Sequence, residues 1–497
     1  MIRPEDKFAI NPLNYLSRED MQTIHSAAMQ VLEEEGVEVY HEKAVKMLSE
    51  AGAFIEKNDS EEGARVYIPT HLAEWALDQP PTRVTLYDRE GEASLYLERR
   101  NAYYGTGSDC PYLLDGFTGE RRAFEYEDVE DAVRLVDSLD NIDFAMSMGL
   151  ISDVDKQLSY QHEFALMLRH TTKPHVITAG DRASLKDQAE MAAAVRGGME
   201  ELKRKPIFAL YDEPTSPLMH SFEAVDKLLY MAENSLPTNY SPGMMAGSTG
   251  PITMAGAMTQ ANAEIISGLV IHQLKNPGAP FIYGAGTSPV DMNSMQPTYS
   301  APEAVVSQAG LTEIGRELYE LPTWGFAGCS SSKLADSQAV YEASNYMMMA
   351  GVTGTNLIHD VGYLESGMTF SFDLLVMCDE IIGQIRRMMD GIRIDEEYLA
   401  LDAIGRVGPG GHYLGDEHTF NHFKENWQPE LTDRDTFENW QERGSTSMLD
   451  RTRGKIEDIL ENHETEKLSA EADKKIDAII AEAAKREKVS SDERARK

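Results

Sequence analysis

From about Asp143 onward, short apolar runs alternate with longer segments whose apolar residues recur at helical spacing. The short runs are Phe144–Met148, His175–Thr178, Ile207–Tyr211, Asn239–Met245, Pro280–Tyr283, Thr323–Ala327 and Asn356–His359, each read as a β-strand. Between and after them, Leu185–Arg196, Ser221–Asn234, Met258–Gln273, Ala304–Leu318, Leu334–Met349 and Phe370–Met389 show the period of a helix with a buried face. The strands recur at roughly 30- to 45-residue spacing, room enough for a returning helix and parallel pairing. With an eighth strand placed near Tyr103, the pattern predicts a (β/α)8 TIM barrel. An open doubly wound sheet is the alternative. Its nucleotide-binding signature is weak, because the nearest match, Gly284 to Pro289, has proline where the third glycine should stand.

The flanks read differently. Ser17 and Asp20 introduce helical spacing over Leu16–Glu35, and Lys43–Ala51 and His71–Leu77 suggest two more helices. Val66–Ile68 and Val84–Asp88 look like short strands. Residues 1–100 are therefore expected to form an N-terminal α/β extension, 101–450 the barrel and 451–497 a C-terminal helical segment. Gly405–Glu417 is a glycine-rich loop followed by scattered aromatics. Gly454–Lys497 is charged, with few large apolar residues, and is expected to be a peripheral helix passing into a disordered tail.

Charge narrows the partners. Against 46 Lys and Arg stand 83 Asp and Glu, a formal net charge of −37, which disfavours nucleic acid and anionic membrane surfaces. No apolar run approaches the length of about 18 residues that a membrane-spanning helix needs. The opening MIRPEDKFAI lacks a basic stretch followed by an apolar one, so no export signal is expected and the cytoplasm is the expected compartment. Three scattered cysteines (Cys110, Cys329, Cys378) make neither a disulfide framework nor a CxxC zinc site, and no metal is expected.

Loops that follow barrel strands carry the chemistry in such folds. Here the presumed strand ends offer aromatics and carboxylates: Tyr104, Asp109, Tyr112, Tyr211, Asp212, Glu213, Tyr283, Asp291, Trp324, Phe326 and His359. A pocket of these suits a small cation, each ring face contributing roughly 0.5–2 kcal/mol. Cys329 has no base nearby in sequence, and Asp360, Tyr363 and Glu365 fill the loop after the last strand. Glu264 lies in an apolar helix, where a carboxylate needs a partner or a task. Walker A, HExxH, GxSxG and EF-hand patterns are absent.

Several segments together resemble the trimethylamine methyltransferase superfamily, specifically its members without pyrrolysine. They are SPGMMAGSTGPITMAGAMTQANAEIISGLV (241–270), PFIYGAGTSPVDMNSMQPTYSAPE (280–303), GFAGCSSSKLADSQAVYEA (325–343), TNLIHDVGYLESG (355–367) and GPGGHYLGDEHTFNHF (408–423), with a weaker match at 103–122. In pyrrolysine-containing members the special residue precedes a Thr-Asp-Ser-Lys-like tetrapeptide, and this chain reads Cys329-Ser330-Ser331-Ser332-Lys333. The resemblance thus implies a quaternary amine as substrate, glycine betaine first and carnitine or proline betaine as alternatives. It implies methyl transfer to the Co(I) corrinoid of a separate protein. A barrel that binds such cations without turnover is the reading from another class, and a homo-oligomer is expected. Trp324, Phe326, Tyr104 and Tyr283 are assigned to the ammonium and His359 to a carboxylate tail. Asp109 is to orient His359 or protonate, Tyr363 stands with the binding residues, and Glu264 and Cys329 are wall residues by position.

Overall fold

The structure, a computed structural model, describes residues 13–57 and 63–495, with side chains through residue 488. Eight parallel strands occur in chain order: β1 Tyr103–Tyr104, β2 Ala145–Met146, β3 His175–Ile177, β4 Phe208–Asp212, β5 Thr238–Tyr240, β6 Phe281–Gly284, β7 Thr323–Phe326 and β8 Leu357–His359. From β2 to β8 each pairs with the next, and β8 pairs with β1 through Leu357↔Tyr103 and Ile358↔Tyr104. A parallel bridge from Gly105 to Phe144 joins β1 to β2, so the sheet closes into a barrel. Eight helices return outside it: α1 Tyr126–Ser138, α2 Ser159–His170, α3 Arg182–Arg196, α4 Phe222–Asn234, α5 Met254–Lys275, α6 Pro302–Glu313, α7 Ser337–Thr353 and α8 Phe372–Met389. Two of them, α1 and α2, lie outside the segments whose spacing predicts a helix.

The run read as one strand over Asn239–Met245 is two. Pro242 has no N–H to give a ladder, so β5 ends at Tyr240 and Gly243–Ala246 leaves the barrel. That strand pairs with Gly286–Asp291, which pairs with Gln296–Pro297, in a small sheet beyond β5 and β6. A second small sheet (Tyr112–Leu114, Arg121–Ala123, Tyr363–Leu364 and Thr369–Phe370) rises beyond β1 and β8. The two sheets extend the wall above the strands' C-terminal ends.

The N-terminal extension serves the barrel twice. Helices Arg18–Gln30 and Thr70–Leu77 pack on α5, covering its outer side while the sheet covers its inner one. That double cover explains why α5 is buried nearly all round. The hairpin of Val84–Tyr87 and Ala93–Leu97 sends Val84, Leu86, Leu95 and Leu97 into the barrel interior to meet Phe144, Met146, Val176, Ala209, Ile282, Trp324 and Leu357. It closes the end opposite the mouth.

At the C-terminus the expectation of a disordered tail gives way to a 26-residue helix, Ala470–Ala495, packed on α3. Three of its charges pair with the barrel helices: Asp473 and Asp477 with Arg169 at 2.8 and 2.6 Å, and Arg486 with Asp187 at 2.5 Å. Ala472, Ile476 and Ala483 are its buried stripe. Small apolar residues between ion pairs are enough to dock a helix whose composition alone resembles that of a solvated one.

Candidate active site

Along a strand, successive side chains point to opposite faces, so in a barrel alternate residues face the interior. Above the apolar plug the inward rows continue as Tyr211 and Glu213 from β4, Phe326 from β7 and His359 from β8. They surround a cavity of about 260 Å³ at the C-terminal mouth. Met244, Met245 and Ser288 reach it from the first small sheet and Tyr363 from the second, with Tyr299 beside Phe326.

The aromatic wall is tightly connected. Trp324 and His359 stack at 4.4 Å between ring centroids, 21° apart, and Tyr211 lies 5.4 Å from Trp324. Phe326 sits 5.2 Å from Tyr299 and 6.1 Å from His359. Such ring faces present partial negative charge to a bound cation.

Three carboxylates line the same cavity: Asp109, Glu213 and Asp360. Asp109 accepts from the Thr178 hydroxyl at 2.9 Å, and the Tyr211 hydroxyl donates to Glu213 Oε1. Asp360 Oδ1 stands 2.8 Å from His359 Nδ1, close enough to attract a protonated ring but without hydrogen-bond alignment. Asp109 and Asp360 both hold left-handed backbone, at φ of 58° and 75°, a region aspartate tolerates better than most residues. Behind them Glu163 accepts from Ser159 Oγ at 2.5 Å, while its other oxygen has no partner.

Burial pushes Asp109 up to about 6. Burial, then the charge of Asp109, raises Glu213 to about 7, and the same two causes push Glu163 well up. Glu213 is open to the cavity yet surrounded by protein, so it is accessible but poorly hydrated. The cation these groups feel is Lys227, whose Nζ is committed to Asp212 Oδ1 at 3.0 Å and the Ala179 carbonyl at 2.9 Å. Among the described residues no Lys or Arg lines the cavity.

Of the nine residues assigned a role in sequence, the structure brings together Asp109, Trp324, Phe326, His359 and Tyr363. Four lie elsewhere. Tyr104 is in register with outward-facing Ile358, and its hydroxyl donates to the Met347 carbonyl, between barrel and helices. Tyr283 follows inward-facing Ile282 and therefore faces out, donating to Asn262 Oδ1. Glu264, on α5, accepts from Ser216 Oγ at 2.6 Å, Leu218 N at 2.8 Å and Gln260 Nε2 at 2.8 Å, and so secures the loop after β4. Cys329 is fully buried behind the wall, and burial, then the charge of Asp360, holds it as a thiol. Glu213 and Tyr211 were among the strand-end residues but not among those assigned a role. Tyr299 carried no sequence signal beyond lying in a loop.

The family model described as "Trimethylamine methyltransferase (MTTB)" matches residues 4–488. The chain belongs to the trimethylamine methyltransferase family. A glycine betaine methyltransferase of Desulfitobacterium hafniense (strain Y51) is 30% identical over 476 residues, covering 95% of this chain and 97% of that protein. The trimethylamine methyltransferase MttB of D. hafniense (strain DSM 10664 / DCB-2) is 29% identical over 466 residues, covering 94% and 93%. Among solved structures, the monomethylamine methyltransferase (MtmB) of Methanosarcina barkeri aligns over 92% of this chain and 97% of its own, at 15% identity and a TM-score of 0.49. No helix among the described residues is long and apolar enough to cross a membrane.

Proposed function

We propose that this member of the family takes a methyl group from a quaternary amine and delivers it to the Co(I) corrinoid of a partner protein, releasing the tertiary amine. The observation that carries the reading is the cavity itself: aromatic faces and carboxylates converge at a barrel mouth, and among the described residues no cysteine lines it. Glycine betaine, the substrate in the name of one relative, is the first compound to test, with carnitine and proline betaine beside it.

The chemistry asks little of the protein. A quaternary nitrogen already bears its positive charge and departs as a neutral amine, so no general acid is needed. The nucleophile belongs to the partner's corrinoid. This chain's residues have to hold the ammonium, exclude water and leave one methyl toward the mouth. Trp324, Tyr211 and Phe326 give the ring faces, and His359 stacks on Trp324 with Asp360 Oδ1 2.8 Å from its Nδ1. Confinement is the main contribution, because orienting two reactants can supply about 7 kcal/mol or more of a barrier.

The test is optical. The purified chain is mixed anaerobically with cob(I)alamin and, in turn, glycine betaine, carnitine, proline betaine, choline and trimethylamine, and conversion to methylcobalamin is followed. Methylation by a quaternary amine and none by trimethylamine supports the proposal. Tight binding of a quaternary amine with no methyl transferred sinks it in favour of a binding barrel.

A further inference from the structure

We infer that the cavity is built for a quaternary ammonium ion whose fourth arm carries no anion, an N-trimethyl alcohol or a tetraalkylammonium rather than a betaine. The inference rests on the quaternary-amine reading and narrows it. Its basis is the charge inventory of the walls. Asp109, Glu213 and Asp360 line the cavity, Glu163 stands behind Asp109, and no Lys or Arg lines it among the described residues. Among the described residues His359 is the one histidine that lines it, and its Nδ1 faces Asp360 Oδ1 at 2.8 Å rather than open cavity.

A betaine carboxylate lies only two bonds or so from its ammonium. In a cavity of about 260 Å³ it could not enter without approaching one of these three carboxyl groups. Once Asp109 and Glu213 are ionised, above about pH 7, like charges at such range, away from bulk water, repel strongly. A neutral arm meets no such obstacle. Ser108, Ser241 and Ser288 line the walls and can exchange hydrogen bonds with a hydroxyl, the last two being almost fully buried.

The same geometry couples binding to protons. Glu213 is faced by the Tyr211 hydroxyl, Asp109 and Asp360, with Lys227 the opposing charge. Asp109 is faced by Thr178, Glu163, Tyr160, Tyr363 and Cys110, again with Lys227 opposing. Mutual repulsion and burial keep protons in the empty cavity, and an arriving cation favours their release. Affinity for the cation should therefore rise with pH across the range near 6 to 7 where Asp109 and Glu213 titrate.

The experiment is calorimetric, on the full chain at about pH 6 and pH 8, with choline, tetramethylammonium, glycine betaine and trimethylamine as titrants. Each titration is repeated in two buffers of different ionisation enthalpy. The expected result is choline or tetramethylammonium bound at least ~10-fold tighter than glycine betaine at pH 8, a gap of about 1.4 kcal/mol. Heats that differ between buffers by the amount due to proton release complete the expectation. Glu213→Gln should weaken choline and leave glycine betaine nearly unchanged. Glycine betaine binding as tightly as choline overturns the inference and leaves the quaternary-amine reading standing. Preference for choline without any methyl transfer to cobalamin overturns that reading instead, and preference for trimethylamine overturns both.

Discussion

Glu264 separates a structural carboxylate from a catalytic one. It is fully buried on α5 and accepts three hydrogen bonds, two of them from the loop that follows β4 and delivers Glu213 to the cavity. Glu264→Ala strands the Ser216 hydroxyl and the Leu218 N–H, each at about 1–3 kcal/mol, so roughly 3 kcal/mol should be lost. Glu264→Gln keeps an acceptor for Leu218, and its NH2 can donate to a Ser216 hydroxyl that rotates to accept, so the cost should be ~1 kcal/mol or less. The local readout is hydrogen exchange in a peptide covering residues 213–220. Protection should fall in the alanine variant, together with substrate affinity, and stay near wild type in the glutamine variant. Had Glu264 moved a proton during turnover, the glutamine variant would lose methyl transfer with exchange and stability intact. That pattern would refute the anchoring role.

The other tests are simpler. All three cysteines are buried, so a thiol reagent should label none in the native chain and all in denaturant, and Cys329→Ala should keep methyl transfer within a few-fold. Folding moves Asp109 from an ordinary 3.8 up to about 6 and Glu213 from 4.5 up to about 7, so the native cavity keeps protons that the unfolded chain releases. That stability is fully present below about pH 4 and lost as pH rises through 6 to 7; Asp109→Asn should flatten the loss by roughly 1 kcal/mol in a thermal melt series, allowing for screening by water in the cavity. At Gly107 an added Cβ would lie 2.2 Å from Asp360 Oδ1 and 2.6 Å from the Tyr363 ring, so Gly107→Ala should cut methyl transfer ~10-fold or more, whereas Gly405→Ala meets nothing within 4 Å and should be silent. Tyr283→Phe removes one buried hydrogen bond to Asn262, costing about 1 kcal/mol without moving substrate affinity.

The barrel was legible because its signal is long. A returning helix between parallel strands imposes a spacing that a single sequence can display, and strands buried on both faces announce themselves as apolar runs. What local pattern could not carry was closure of the N-terminal end. The hairpin over Val84–Leu97 reads as two ordinary strands, and only the fold shows that its apolar side enters the barrel. The terminal helix was hidden for the opposite reason. Its docking depends on ion pairs with Arg169 and Asp187, more than 280 residues earlier in the chain, which composition cannot foresee.

In the candidate site, the assignments parted along strand parity. Trp324, Phe326 and His359 lie on inward rows, whereas Tyr104 and Tyr283 occupy the intervening positions that face the helices. Parity was available in principle: in Phe281-Ile282-Tyr283 one of the neighbours must turn inward if the other turns out. Choosing between them required knowing that Ile282 meets the hairpin plug and that Asn262 waits outside for the Tyr283 hydroxyl. Glu213 escapes a reading of sequence alone for a related reason. It stands one step past β4 on the inward row of Ala209 and Tyr211, so the geometry that makes Tyr211 a wall residue also aims Glu213 at the cavity. Among the described residues, the inward rows at the mouth thus end in carboxylates where an anion-binding barrel would have needed arginine or lysine.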